Sequence, residues 1–86
     1  MKLNRDYLVH TIGEETLLVP TGKASFSGMV RGNQTFGTVL ALLQTETTEE
    51  ALIAAMKERF LAPEGLIEQD VREALARLRE IGAIDG

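Results

Sequence analysis

The chain has 86 residues, no cysteine, 44% hydrophobic and 26% charged residues, and a formal net charge of −4. A chain this short holds one small core, so we expect a single domain over residues 1–86 that is stabilised by packing, without disulfides or thiolate metal sites. The acidic balance disfavours a nucleic-acid partner, and a single histidine leaves few groups for a catalytic pocket. We therefore expect no enzymatic activity, no metal and no cofactor.

The first six residues carry charges but no apolar run behind them. This pattern excludes a secretory signal or a membrane span at this end of the chain. We therefore expect a cytoplasmic protein that has no membrane partner.

The first third of the chain is predicted to form three strands. Tyr7–Ile12 and Thr16–Val19 are rich in β-branched and apolar residues, and the turn-prone Gly13–Glu15 joins them. This combination is typical of a β-hairpin. Phe26–Arg31 is predicted to form a third short strand, and Gly32 ends it before the helices begin.

The remainder is predicted to form three helices. Asn33 is a good N-cap for a first helix of about ten residues, and Thr47–Glu50 has the sequence of a capping box for the second. Apolar residues recur at helical spacing over Ile67–Ile81, and Gly82 suits the left-handed position that ends a helix. With strands over about 7–31 and helices over about 33–81, we expect an α+β, winged helix-turn-helix-like fold: a three-stranded antiparallel sheet followed by three helices.

This architecture fits several classes of function. One is a small winged-helix DNA-binding regulator, another is a peptide-binding module, and a third is an adaptor subunit of an assembly that has no peptide substrate. From Glu68 to Glu80 the third helix carries four acidic residues and three basic ones. The helix therefore lacks the excess of positive charge that a helix in a DNA groove needs, so DNA binding is the disfavoured alternative.

Two features of the chain suit protein or peptide binding. Glu68, Arg72, Leu75 and Arg79 share one stripe of the third helix, which is either a docking surface with Leu75 exposed or a flank whose arginine stems cover Leu75 in the core. The third strand is the last of a small sheet, so it is expected to leave an edge to which an extended peptide can pair. The same edge allows a homodimer in which the strand pairs with its own copy.

Short motifs in a fixed order cover nearly the whole chain. They are Asn33-Gln34-Thr35, Leu42-Leu43, Thr47-Thr48-Glu49-Glu50, Asp70-Val71, Leu75 with Leu78, and Gly82-Ala83-Ile84. In this order the chain resembles the PqqD-like family, which is named for coenzyme PQQ synthesis protein D and is related to RiPP recognition elements.

Three positions depart from that family's pattern. Gly32 stands where the family usually has an aliphatic residue, Phe36 where it prefers a small one, and Leu40 where it often has tryptophan. Phe36 and Leu40 lie four residues apart on one helical face, so we expect their volumes to compensate for one another. The resemblance therefore implies the same kind of module as in that family. It does not decide whether the chain acts in PQQ biosynthesis or in another pathway.

The resemblance implies a non-catalytic peptide chaperone. Such a module binds the leader segment of a ribosomally synthesised precursor peptide and presents it to a modifying enzyme, often a radical SAM protein. The leader would lie as an added strand against the third strand, beside the third helix. The implied contacts are Met29, Val30 and Arg31 at the edge, and Val71, Arg72, Leu75 and Arg79 on the helix. Among them, Arg72 and Arg79 would pair with acidic leader residues, and Leu75 would supply an apolar contact.

Overall fold

The computed structural model describes residues 1–22 and 28–84 and confirms the expected α+β architecture. The strands are β1 (Tyr7–Ile12), β2 (Glu15–Pro20) and β3 (Val30–Gly32), and the helices are α1 (Gln34–Leu42), α2 (Glu49–Arg59) and α3 (Leu66–Glu80). The sheet is antiparallel with the order β1-β2-β3. Phe26 and Ser27 of the predicted third strand lie outside the described residues. β3 begins only at Val30, so the prediction is wrong for Gly28 and Met29, and it ends one residue later than predicted, at Gly32.

The β1–β2 hairpin turns through two residues, Gly13 and Glu14, because Ile12 pairs directly with Glu15. Gly13 has a φ of 62°, whereas Glu14 has a negative φ. A glycine with positive φ at the first central position is the mark of a type II′ turn, whose twist matches that of the flanking strands. The turn fixes the strand register, and with it which side chains of the sheet face the core.

One buried cluster lies between the inner face of the sheet and the three helices. Nine of its side chains are almost completely enclosed: Leu18, Val39, Leu40, Leu43, Leu52, Met56, Val71, Leu75 and Leu78. The predicted helical periodicity of α3 is confirmed, since Ile67, Val71, Ala74 and Leu78 all point into this cluster. No helix among the described residues combines the length and the apolar character needed to cross a membrane.

The N-terminal segment ties the ends of the helices together. Leu3 donates its backbone N–H to the Leu43 carbonyl at 2.8 Å, and Asn4 donates to the Ala83 carbonyl at 2.7 Å. An isolated β-bridge joins Leu3 to Ile84. Ala83 and Ile84 are buried, so the chain packs back onto the core after α3.

The helix ends match the predicted caps at two places. The Asn33 side chain accepts a hydrogen bond from the Phe36 backbone N–H at 3.0 Å, as expected of the N-cap of α1. Gly82, immediately after the C-cap of α3, has a φ of 76°. This is the left-handed conformation that glycine adopts at little cost.

The start of α2 differs from the predicted capping box by one residue. Thr48, not Thr47, is the N-cap, and its hydroxyl accepts from the Ala51 N–H at 3.1 Å. The main chain of Thr47 is engaged elsewhere, because its N–H donates to the Met1 carbonyl and its carbonyl accepts from the Met1 amino group. The expected reciprocal bond between Thr47 and Glu50 is therefore wrong. Glu50 lies in the first turn of α2, where its negative charge interacts favourably with the helix dipole.

Replacing Thr48 with alanine is expected to lower the free energy of unfolding by about 1 kcal/mol, because the first turn of α2 loses its side-chain acceptor. Thr47→Ala is the matched control and is expected to change stability by less than about 0.5 kcal/mol. Urea unfolding of both variants, followed by circular dichroism, measures the difference. A larger loss for Thr47→Ala than for Thr48→Ala would contradict this assignment of the cap.

Candidate functional site

The hydrogen-bond pattern of the sheet follows from its hairpin turn. Residues that flank a two-residue turn form a hydrogen-bonded pair, and such pairs alternate with non-bonded pairs along an antiparallel ladder. Ile12 and Glu15 flank the turn, so the main chain of Leu17 faces β1. The main-chain groups of Thr16 and Leu18 consequently face β3.

The outer edge of β3 therefore exposes the main chain of its middle residue. Val30 pairs with Leu18 and Gly32 pairs with Thr16, so Val30 and Gly32 direct their N–H and C=O groups towards β2. By the same alternation, the N–H and C=O of Arg31 point away from the sheet. A short edge strand with unpaired groups can accept one further strand.

The three residues Met29, Val30 and Arg31 differ in how far their side chains are exposed. Val30 is buried in the core, with 4% of its surface exposed, whereas Met29 is 54% exposed. Arg31 is also exposed. Of the three residues predicted to supply the edge, Met29 and Arg31 are thus accessible, while Val30 is a core residue whose main chain faces β2.

A groove with a volume of about 440 Å³ lies between β3, the start of α1 and α3. We call it the β3–α3 groove. From β3 and α1 it is lined by Arg31, Gly32, Asn33, Thr35 and Phe36, and from α3 by Asp70, Glu73, Ala74 and Arg77. The free main chain of Arg31 is thus next to a concave surface, a combination that gives an added strand both a hydrogen-bonding edge and pockets for its side chains.

The flank of α3 that lines the groove is not the one the sequence indicated. Asp70, Glu73 and Arg77 lie on one side of the buried stripe of α3, whereas Arg72 and Arg79 lie on the other side at 100° per residue. Sequence reasoning therefore missed Asp70, Glu73 and Arg77. Their spacing of three and four residues was a visible signal, but the opposite flank shows the same spacing.

Two predicted apolar contacts on α3 are core residues. Val71 and Leu75 have no exposed surface. The expectation that Leu75 is an exposed apolar contact is wrong, and the alternative that it completes the core is correct. The reason is geometric, because Leu75 lies on the side of α3 against which α2 packs.

Ion pairs to α2 occupy the flank on which Arg72 lies. The Arg72 Nε atom lies 3.6 Å from a carboxylate oxygen of Glu49, and Lys57 Nζ donates to Glu68 at 3.0 Å. This hydrogen bond from Lys57 holds the pKa of the Glu68 carboxyl below its usual range. Arg72 is consequently directed towards α2 and away from the β3–α3 groove.

Gly32 and Phe36 pack closely at the end of the groove. A Cβ atom on Gly32 would lie 2.6 Å from the Cβ of Phe36 and would overlap its ring. Gly32 does not have a positive φ, so glycine is required there for space and not for backbone conformation. The compensation between Phe36 and Leu40 stays a prediction, and the structure adds a direct exchange of volume between Gly32 and Phe36.

One comparison with known proteins bears on the family of this chain and another on its fold. The family model for coenzyme PQQ synthesis protein D (PqqD) matches residues 14–84. A solved structure described as TbiB1 in complex with the TbiA(beta) leader peptide superposes with a TM-score of 0.80 and 17% sequence identity, covering 100% of this chain and 96% of that chain. Among curated proteins, no sequence matches this chain.

Proposed function

The chain belongs to the family of coenzyme PQQ synthesis protein D (PqqD), and we propose that it is a recognition module for the leader segment of a ribosomally synthesised precursor peptide. The leader binds as a fourth strand against β3, with its side chains in the β3–α3 groove. The observation that carries this proposal is the outward main chain of Arg31 beside a concave surface of about 440 Å³. The likeness to TbiB1, whose structure contains a leader peptide, supports it.

The chemistry that modifies the precursor belongs to a partner enzyme, to which this chain presents the bound leader. In the family that partner is often a radical SAM protein. The residues that line the groove include no histidine, cysteine or serine, and the described residues contain no group of three side chains able to hold a metal ion. The support for a non-catalytic role is the match to the family of coenzyme PQQ synthesis protein D.

The charges of the groove favour a peptide over a nucleic acid. The two acids of the groove, Asp70 and Glu73, balance its two arginines, Arg31 and Arg77, and the chain carries a formal net charge of −4. A phosphate backbone requires a face of clustered lysine and arginine. An uncharged peptide main chain requires only donors and acceptors, which the edge of β3 supplies.

Binding of synthetic leader segments tests the proposal. The probes are fluorescein-labelled leader segments of small precursor peptides encoded next to the gene for this chain, with scrambled peptides of the same composition as controls. Fluorescence anisotropy is expected to show saturable binding with a Kd of roughly micromolar or tighter for one leader and not for its scrambled form. No saturation by any leader up to about 1 mM would overturn the proposal, because a weaker contact is too weak to be specific.

A further inference from the structure

Arg77 on α3 contacts the aromatic ring of Phe36 on α1. The central carbon of its guanidinium lies 6.0 Å from the ring centroid, which is within the range of a cation–π contact. Both residues line the β3–α3 groove, where Phe36 is buried and Arg77 is exposed. The guanidinium is thus held over an aromatic face at the border of an open groove.

The absence of a side chain at Gly32 makes this contact possible. Since a Cβ atom at position 32 would overlap the Phe36 ring, any larger residue there would displace the ring. An aliphatic residue at position 32 would therefore remove the aromatic surface that Arg77 covers. Gly32, Phe36 and Arg77 form one unit, which we call the arginine–aromatic unit.

Within residues 1–22 and 28–84, Arg77 forms no ion pair. The carboxylate best placed on its own helix is Glu73, four residues earlier. Glu73 instead accepts a hydrogen bond from Gln69 Nε2 at 3.2 Å, on the side away from Arg77. Asp70, the other acidic residue of the groove, is seven residues from Arg77, or roughly 10 Å along the helix axis.

We infer that Arg77 binds a carboxylate side chain of the peptide that occupies the groove. This inference rests on the proposed function and assigns the chemical class of one ligand position. A guanidinium that lies over an aromatic face keeps its edge N–H donors free, and their fork matches the two oxygens of a carboxylate. The ligand is therefore an extended peptide with aspartate or glutamate at one fixed position relative to the segment paired with β3.

A random peptide display library tests this inference, because selection from random sequences does not require the natural ligand. Sixteen-residue random peptides are selected on the wild-type chain, on Arg77→Gln, and on Arg59→Gln as a control. Arg59 is an exposed arginine at the end of α2, outside the groove. Peptides selected on the wild type and on Arg59→Gln are expected to share an acidic residue at one position, and those selected on Arg77→Gln are expected to lack it.

The affinities of one selected peptide for the wild type and for Arg77→Gln then measure how much the contact with Arg77 contributes to binding. Changing its fixed acid to the corresponding amide is expected to weaken binding to the wild type about tenfold and to leave binding to Arg77→Gln nearly unchanged. An equal loss for both proteins, or selected peptides without a fixed acid, would overturn the role of Arg77 while leaving the proposed function intact. Failure to select any binding peptide on the wild type would overturn the proposed function and this inference with it.

Discussion

Replacing Gly32 with valine is expected to destabilise the fold by about 2–3 kcal/mol, because the new side chain must enter space that the Phe36 ring fills. A Cβ at this position would lie 2.6 Å from the Cβ of Phe36. That atom is next to the α1 backbone and cannot move away as a flexible chain end can. Relief requires β3 and α1 to separate, which exposes part of the core. Urea unfolding, followed by circular dichroism, measures the change.

A second substitution shows whether the cost arises from this contact. Phe36→Ala alone is expected to cost about 3 kcal/mol, since it removes a buried ring. The double variant Gly32→Val with Phe36→Ala exchanges a side chain on the helix for one on the strand. Its cost is expected to be about 2 kcal/mol less than the sum of the single costs.

Gly22→Val is the control for the intrinsic effect of replacing glycine with valine. A Cβ at Gly22 would meet no atom within 4 Å among the described residues, so its expected effect is within about 0.5 kcal/mol. Strictly additive costs in the double variant would contradict the exchange of volume between Gly32 and Phe36. A loss of stability in Gly22→Val equal to that in Gly32→Val would also contradict it.

Replacing Arg31 with proline is expected to weaken leader binding roughly 10- to 100-fold while the fold persists, because one hydrogen bond is lost and its partner on the peptide is left unpaired. The N–H of Arg31 points away from the sheet. Proline is tolerated in an edge strand where the missing N–H faces outward. The variant therefore removes the donor needed for strand addition and keeps the bonds between β2 and β3.

Arg31→Ala separates the main chain from the side chain in this experiment. It retains the N–H, so its effect on the Kd is expected to be clearly smaller than that of Arg31→Pro. Both dissociation constants are measured by fluorescence anisotropy, and circular dichroism confirms that both variants fold. Equal affinities for Arg31→Pro and Arg31→Ala would show that the leader does not pair with this edge.

Local sequence signals predicted most of the fold. The alternating and β-branched residues around Gly13, the N-cap at Asn33 and the apolar repeat of α3 each depend on neighbours close in the chain. The start of α2 was misplaced by one residue because the main chain of Thr47 bonds to Met1. That contact spans 46 residues, and no local pattern reports it.

The candidate site was predicted only in part, because two flanks of one helix have similar sequence patterns. An edge at the third strand follows from the order of the elements, and the structure shows it at Arg31. The two flanks of α3, one with Arg72 and the other with Arg77, look alike in sequence. Which flank faces β3 depends on where α2 packs, and the pairing of Arg72 with Glu49 shows this only once the helices are assembled.

Amide hydrogen exchange of Arg31, measured by NMR with and without a saturating leader peptide, tests strand addition most directly. The leader is expected to slow exchange at Arg31 strongly. The amides of Val30 and Gly32 already bond to β2, so their exchange is expected to change far less. Unchanged exchange at Arg31 in a saturated complex would contradict strand addition, because the leader would then bind the protein without pairing to β3.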